Sequence, residues 1–398
     1  MFVSLLLAST LLAPINAPRK TVDEPQISIT VDSARGEVVV TAGPYDLPNM
    51  PADMAEMHMG TPQVLRFDWP VDGGLRGFNL SMQTENGQPL PKDMIHHLIA
   101  VNFDRRQIVY QMVERLFGWG KETDPVLLPA GVGVPLTKGQ HLGVYAMWHN
   151  DSGRDIHNAY LKMTLPYIPK ARLANPVLPL YVDVNNHIGG VTTFDVPPGK
   201  STRSYEFSFP LSGRLIGIGG HLHDYGAAVR FEDAVTGKVL VRLKSDRDSK
   251  GEISKVGRFI WGFHEEALPI EANHLYRVVA EYDNPTGKNI TQGGMGHING
   301  AFSPNDMSEW PKLDLSNADI KRDIETLPSY TEMRASRGSK AQEARESHIS
   351  EGDVDMKSMQ MDKGLHTDSS SSSSSSMSSM PGMPGMVRMQ QRGDSTHH

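Results

Sequence analysis

Sixteen histidines and no cysteine in 398 residues narrow the metal chemistry open to this chain. Thiolate sites, iron–sulfur clusters, disulfides and cysteine nucleophiles are excluded together. Imidazole and the thioethers of 21 methionines remain, a ligand set that suits copper, whereas carboxylate-built sites would suit calcium or magnesium. The sharpest grouping is "GIGGHLHDYG", residues 217–226. On a strand, His221 and His223 point to one face and Leu222 to the other, so a single strand offers a metal half of its ligands. An isolated H-x-H also suits a polar strand face with two solvated rings, so partners must be found elsewhere.

Three further stretches supply them. "DMIHHLIAVNF" sets His96 beside His97, and since neighbours on a regular strand face opposite ways, a shared ion there requires a twist, a bulge or a strand end. In "GQHLGVYAMWHND" the alternation puts Leu142, Val144, Ala146 and Trp148 on a core face, with Tyr145, Met147 and His149 on the other. His149 closes that strand just before "NDSG", where a side chain can reach across a sheet edge. In "EYDNPTGKNITQGGMGHINGAF", Met295 sits between Gly294 and Gly296, which let backbone approach closely and leave the thioether unshielded. His297 is the competing ligand two residues on.

The elements that must hold these residues are strands. From about Gln26 to Pro169 short β-rich runs alternate with turns, as in "ISITVDSARGEVVVTA" and "HLIAVNF". A second block from about Val177 to Ser303 contains "RSYEFSFP", "AAVRFED", "KVLVRLKS" and "HLYRVVAEYDN", with "EDAVTGKV" as a hairpin turn. Neither block holds a sustained helical period, so the expected fold is all-β: two tandem antiparallel sandwiches joined at "LPYIPKARLANPVLP". "LSNADIKRDIETL" predicts one short helix with Ser316 as N-cap. Beyond about Ser336 the chain turns polar, with eight serines at Ser369–Ser376 and a Met-rich end, the composition of a disordered tail.

The ordered set resembles a known family. A histidine pair, a strand-terminal histidine, H-x-H and a methionine in a Gly-rich segment is the ligand order of the copper type II, ascorbate-dependent monooxygenases, which include peptidylglycine α-hydroxylating and dopamine β-monooxygenases. The likeness runs from about Thr61 to Phe302, with "MWHNDSG" and "YDNPTGK" as supporting phrases. It implies two jelly-roll sandwiches facing a solvent cleft. His96, His97 and His149 would hold an electron-transfer copper, and His221, His223 and Met295 a second copper that meets oxygen and substrate. It further implies hydroxylation of a substrate C–H bond with O2, and ascorbate or a similar reductant reloading both ions. The chain departs from the family in lacking disulfides and in carrying Leu98 after the histidine pair, where the animal enzymes have methionine. No residues match the family's substrate-binding groups, so the substrate, small molecule or peptide, stays open.

Other readings meet specific obstacles. A cupin needs a glutamate four or five residues past the second histidine, and Asp224 and Glu232 miss that spacing. A zinc hydrolase on His221, His223 and His297 leaves His96, His97 and His149 unused. No G-x-S-x-G elbow and no phosphate-cradling loop occurs. A non-catalytic copper store or carrier could use the Met-rich stretches near Met50–Met59, Met356 and Met377. A net charge of −7 without a basic run argues against nucleic acid as partner. "MFVSLLLASTLLAPINA" reads as a secretory signal ending at Ala17, no later segment is apolar enough to span a bilayer, and the expected location is periplasmic or secreted, in a bacterium. His141, His157, His187, His264 and His274 sit where a hydrogen-bonded or solvated ring is the ordinary case.

Overall fold

The computed structural model describes residues 25–49, 63–186, 188, 192–261 and 267–327. The proposed signal segment, the three Met-rich stretches, the serine run, His187 and His264 lie outside them. The described chain is all-β and forms two sandwiches in tandem, the first from Gln26 to Pro169 and the second from Leu178 to Pro304.

Each sandwich has the same eight-strand plan. In the first, the principal strands in chain order are Glu37–Leu47, Gln63–Asp68, Gly77–Thr84, Ile95–Arg106, Val113–Gly120, Val132–Leu136, His141–Trp148 and Ile156–Pro169. The second, seventh, fourth and fifth make one sheet; the first, eighth, third and sixth make the other, the third reaching the sixth through the short Gly73–Leu75 strand. In the second sandwich Gly199–Ser208, Leu275–Asn284, Gly226–Asp233 and Val239–Arg247 repeat the second-seventh-fourth-fifth order. Leu178–Asp183, Gly296–Pro304, Gly213–Leu222 and the pair Arg258–Ile260 and Leu268–Ile270 repeat the other. Two Greek keys wound this way define a jelly roll.

Period-2 patterning decides which side chains fill the core. Val38, Val40 and Ala42 are buried between outward residues of their strand, and Leu142, Val144 and Ala146 do the same on theirs. Trp148, at the strand end, is only partly buried. In the second sandwich, Phe207, Phe209, Phe231, Tyr276 and Phe302 pack as an aromatic cluster, with Phe209 and Phe302 stacked 5.4 Å apart. Without disulfides, such burial at roughly 25 cal/mol per Å2 is the main stabilising term.

The joint is pinned rather than loose. Asn175–Pro176 pairs in parallel with Val132–Gly133, and Val177 donates its N–H to the Gly133 carbonyl at 3.0 Å. Tyr110 of the first sandwich bonds both the N–H and the carbonyl of Asp183 in the second, at 3.0 and 3.2 Å. The segment after the second sandwich then returns to the first. Trp310 donates its indole N–H to the Arg106 carbonyl at 3.0 Å, and Asp323 forms a buried two-pronged pair with Arg115 at 2.6 and 2.9 Å. Asp323 lies on the helix Ala318–Glu325. Its N-cap is Asn317, whose side chain accepts the N–H groups of Asp319 and Ile320, and not Ser316, whose hydroxyl turns back to Asp314. Both types cap well, and the one in register with the first turn wins.

Candidate metal centre

His96 and His97 come together through a bulge. Along Ile95–Arg106 the register against His141–Trp148 shifts, so that Met147 faces His97 while Trp148 faces Ile95. His96 is the extra residue. A bulge of this kind defeats the alternation that would send neighbouring rings apart, and the two rings lie 4.2 Å apart, edge to face. His149 follows directly, its N–H bonded to the Met94 carbonyl at 3.0 Å, and its Nε2 is 3.7 Å from the exposed Asp151 carboxylate.

On the second sandwich, His221 lies near the end of the strand Gly213–Leu222, just after a glycine that packing requires. A Cβ on Gly220 would meet Val229 at 2.4 Å. Directly across the ladder from His221 stands His297, the two rings stacked 4.6 Å apart. His223 lies just past the strand end, with its ring 5.4 Å from that of His221. Met295 is held by its backbone. Its N–H donates to the Tyr282 hydroxyl at 2.9 Å, that hydroxyl donates to its carbonyl, and the His223 N–H donates to the same hydroxyl at 3.2 Å. Tyr282 thus ties the backbones of two proposed ligands. The glycines beside Met295 are close-approach positions, since a Cβ on Gly294 would meet Phe194 at 2.5 Å and one on Gly296 would meet Ala280 at 2.6 Å.

The two groups meet. His97 Nε2 lies 3.2 Å from His221 Nε2, and the His97 ring stacks on His223 at 5.4 Å. The ligand atoms of His97, His221 and His223 all lie within 4.8 Å of one another. The expected grouping of His96, His97 and His149 apart from His221, His223 and Met295 is crossed at His97, which lies beside both His96 and His221. His97 stands with the second-sandwich pair, His96 is next to it at 6.4 Å from the His223 ring, and Met295 adjoins His223 through backbone. No sequence reading of separate strands could contain that docking.

Two participants went unforeseen. Glu122, buried in the turn after Val113–Gly120, receives His221 Nδ1–H at 2.6 Å from the opposite sandwich. Burial would push its carboxyl up, but the His221 ring and the bond to it hold it below the usual range. A carboxylate on Nδ1 fixes the tautomer with Nε2 bare, the arrangement found behind metal-ligating histidines. Asp183 is the other, 3.7 Å from His297 Nδ1 and pushed up to about 6 by burial, against the opposing pull of the Asn185 N–H and the Tyr181 hydroxyl. "GWGKETDPV", with an acidic residue in a glycine-flanked turn, carries the one sequence hint of Glu122.

Burial keeps four of the rings neutral. Burial, then the neighbouring His221, lowers His96 to about 4 and His223 to about 3; burial first also drives His97 and His297 well below their ordinary value. Neutral imidazole is the metal-binding form. The ring atoms His96 Nε2, His97 Nδ1, His223 Nε2 and His297 Nδ1 are buried without a hydrogen-bond partner, a costly state for four polar atoms unless something pairs with them. Two imidazole nitrogens on one tetrahedral ion lie roughly 3.3 Å apart, close to the 3.2 Å between His97 and His221. The donors present fit a borderline transition metal. By contrast His141, His157 and His274 each pair with an aspartate, Asp104, Asp46 and Asp233.

Fold and site together define a double jelly roll with a histidine cluster where its sandwiches meet. No family model and no curated protein matches the chain. Among solved structures it is similar to the major capsid protein P2 from bacteriophage PM2, at 9% identity over 66% of this chain and 98% of that one, with a TM-score of 0.33. PNGF-II is similar at 9% identity over 69% and 66%, with a TM-score of 0.31. PBCV-1 VP54, fitted into a reconstruction of the virophage Sputnik, is similar at 7% over 72% and 95%, with 0.24. Likenesses this distant do not bear on activity.

Proposed function

We propose that the chain is a copper-dependent monooxygenase that hydroxylates a C–H bond of a small organic or peptide substrate with O2 and a reductant such as ascorbate. The observation that carries the reading is the convergence of His96 and His97 with His221 and His223, with buried ring nitrogens left unpaired. His96, His97, His149, His221, His223 and Met295 are the proposed ligands, His297 standing by at His221. Copper, when bound, would supply one-electron redox chemistry and a place for O2, the thioether of Met295 favouring the Cu(I) state. The chain's own residues do the positioning. Glu122 holds His221 with Nε2 outward, Tyr282 fixes the backbones of His223 and Met295, and burial keeps His96, His97 and His223 unprotonated.

Metal analysis of the purified chain, followed by oxygen uptake with ascorbate over a panel of small and peptide substrates, tests the proposal. Copper held by the folded core and reductant-dependent uptake that His221→Ala abolishes would support it. Copper that disappears when residues 328–398 are removed would point instead to a non-catalytic store or carrier using the Met-rich segments.

A further inference from the structure

We infer that His97, His221 and His223 bind one ion in common, so that a single metal is held by both sandwiches. This rests on the copper-binding reading above and changes its ligand grouping, taking His97 from His96 and His149.

Three observations lead there. First, His97 Nε2 and His221 Nε2 face each other at 3.2 Å, and the ligand atoms of all three residues lie within 4.8 Å. Closing that set onto one ion requires the His223 ring to move toward the pair, within the reach of a side-chain rotation. Second, the tautomers are constrained. Glu122 accepts the Nδ1–H of His221, so in neutral His221 Nε2 is a lone pair, to which His97 donates its own Nε2–H across the 3.2 Å gap. That leaves His97 Nδ1 bare and buried without a partner. A cation on the Nε2 line replaces that proton, and His97 then carries its hydrogen on Nδ1. Third, His223 also presents an unpartnered buried nitrogen, Nε2, beside the pair.

The shared ion would act as a clasp. The turn that carries Glu122 is already laid against the second sandwich by Lys121–Asp224 at 3.4 Å, Lys255–Asp124 at 3.3 Å and Arg258 on the Pro125 carbonyl at 3.4 Å. These contacts are exposed, and such pairs hold weakly on their own. An ion bonded from both sides supplies the stronger tie.

The test is a copper titration of the full metal-free chain by equilibrium dialysis, with His97→Gln, His221→Gln, the double variant and His149→Ala, each checked for a native circular dichroism spectrum. A common site predicts that His97→Gln and His221→Gln each weaken the first Cu(II) equivalent by at least tenfold, that the double variant loses no further equivalent, and that His149→Ala keeps the first equivalent. Urea unfolding should show one added equivalent raising the midpoint of the wild-type chain, and leaving that of either Gln variant unchanged. If the single variants lose different equivalents and the double loses both, the shared site is refuted while copper binding stands. If the wild-type chain binds no copper, both readings fall. A variant that misfolds is replaced by His97→Asn or His221→Asn, which keep a polar group of similar reach.

Discussion

Replacing Glu122 separates orientation from mere occupancy at the centre. Its carboxylate is buried and accepts the Nδ1–H of His221 at 2.6 Å, a charge-assisted bond between opposite sandwiches. Losing such an outer partner costs about 10- to 100-fold in metal affinity, equivalent to about 1.4–2.7 kcal/mol. Glu122→Ala leaves the His221 ring free to turn and its Nδ1–H unpaired; Glu122→Gln keeps an acceptor in place and removes the charge. The expected order of Cu(II) affinity is wild type, then Gln, then Ala, with Ala about 10- to 100-fold below wild type. Competition against a calibrated chelator reads the affinities, and urea unfolding of the metal-free chain checks that the fold persists. Equal affinity for Ala and wild type would show that the turn only fills space. An affinity loss matched by an equal loss of stability in the metal-free chain would refute the orienting role in favour of a packing one.

Asp323→Ala strips the partner from a buried guanidinium; burial alone would lower the ordinary Arg115 value, yet the nearby tyrosine and carboxylate charges raise it. The first sandwich should lose about 3–5 kcal/mol, read as an earlier urea midpoint, and a loss under about 1 kcal/mol would mean the returning helix is incidental. Tyr282→Phe removes the hydroxyl that serves His223 and Met295; stability should fall by about 1–3 kcal/mol, with weaker copper retention, and unchanged retention would free Tyr282 from the site. His141 is raised by its hydrogen bond to Asp104 and by that carboxylate's charge. The sign follows: its contribution is complete below about 6.5 and fades as pH rises through the folded value. NMR titration should place His141 above a free imidazole and Asp104→Asn should bring it back; no change would deny the pair.

Much of the fold was readable because two-residue alternation is a local property. Leu142, Val144 and Ala146 announce their buried face by spacing alone, and glycine-containing turns mark where several strands stop. The candidate residues were readable by type: H-x-H at His221, the His96–His97 pair, and Met295 between glycines whose Cβ positions are filled by Phe194 and Ala280. What escaped depends on contacts between distant segments. The bulge at His96 is a mismatch between two strands and leaves no mark on either one. Glu122 looks like any exposed turn carboxylate until the second sandwich covers it. The meeting of His97 with His221 joins residues 124 apart through a docking of sandwiches that no periodicity encodes. Asn150 shows the same limit from the other side, for "NDS" at 150–152 matches the glycosylation-acceptor pattern, yet its amide is buried and donates to the carbonyls of Leu47 and Arg154.

Pulsed EPR of the chain loaded with one equivalent of Cu(II) tests the central claim most directly, because the remote nitrogen of each coordinated imidazole modulates the echo. Three coordinated imidazoles are expected, falling to two in His97→Gln and in His221→Gln alike. An echo without imidazole modulation, or one indifferent to both substitutions, would contradict a histidine centre at the junction of the sandwiches.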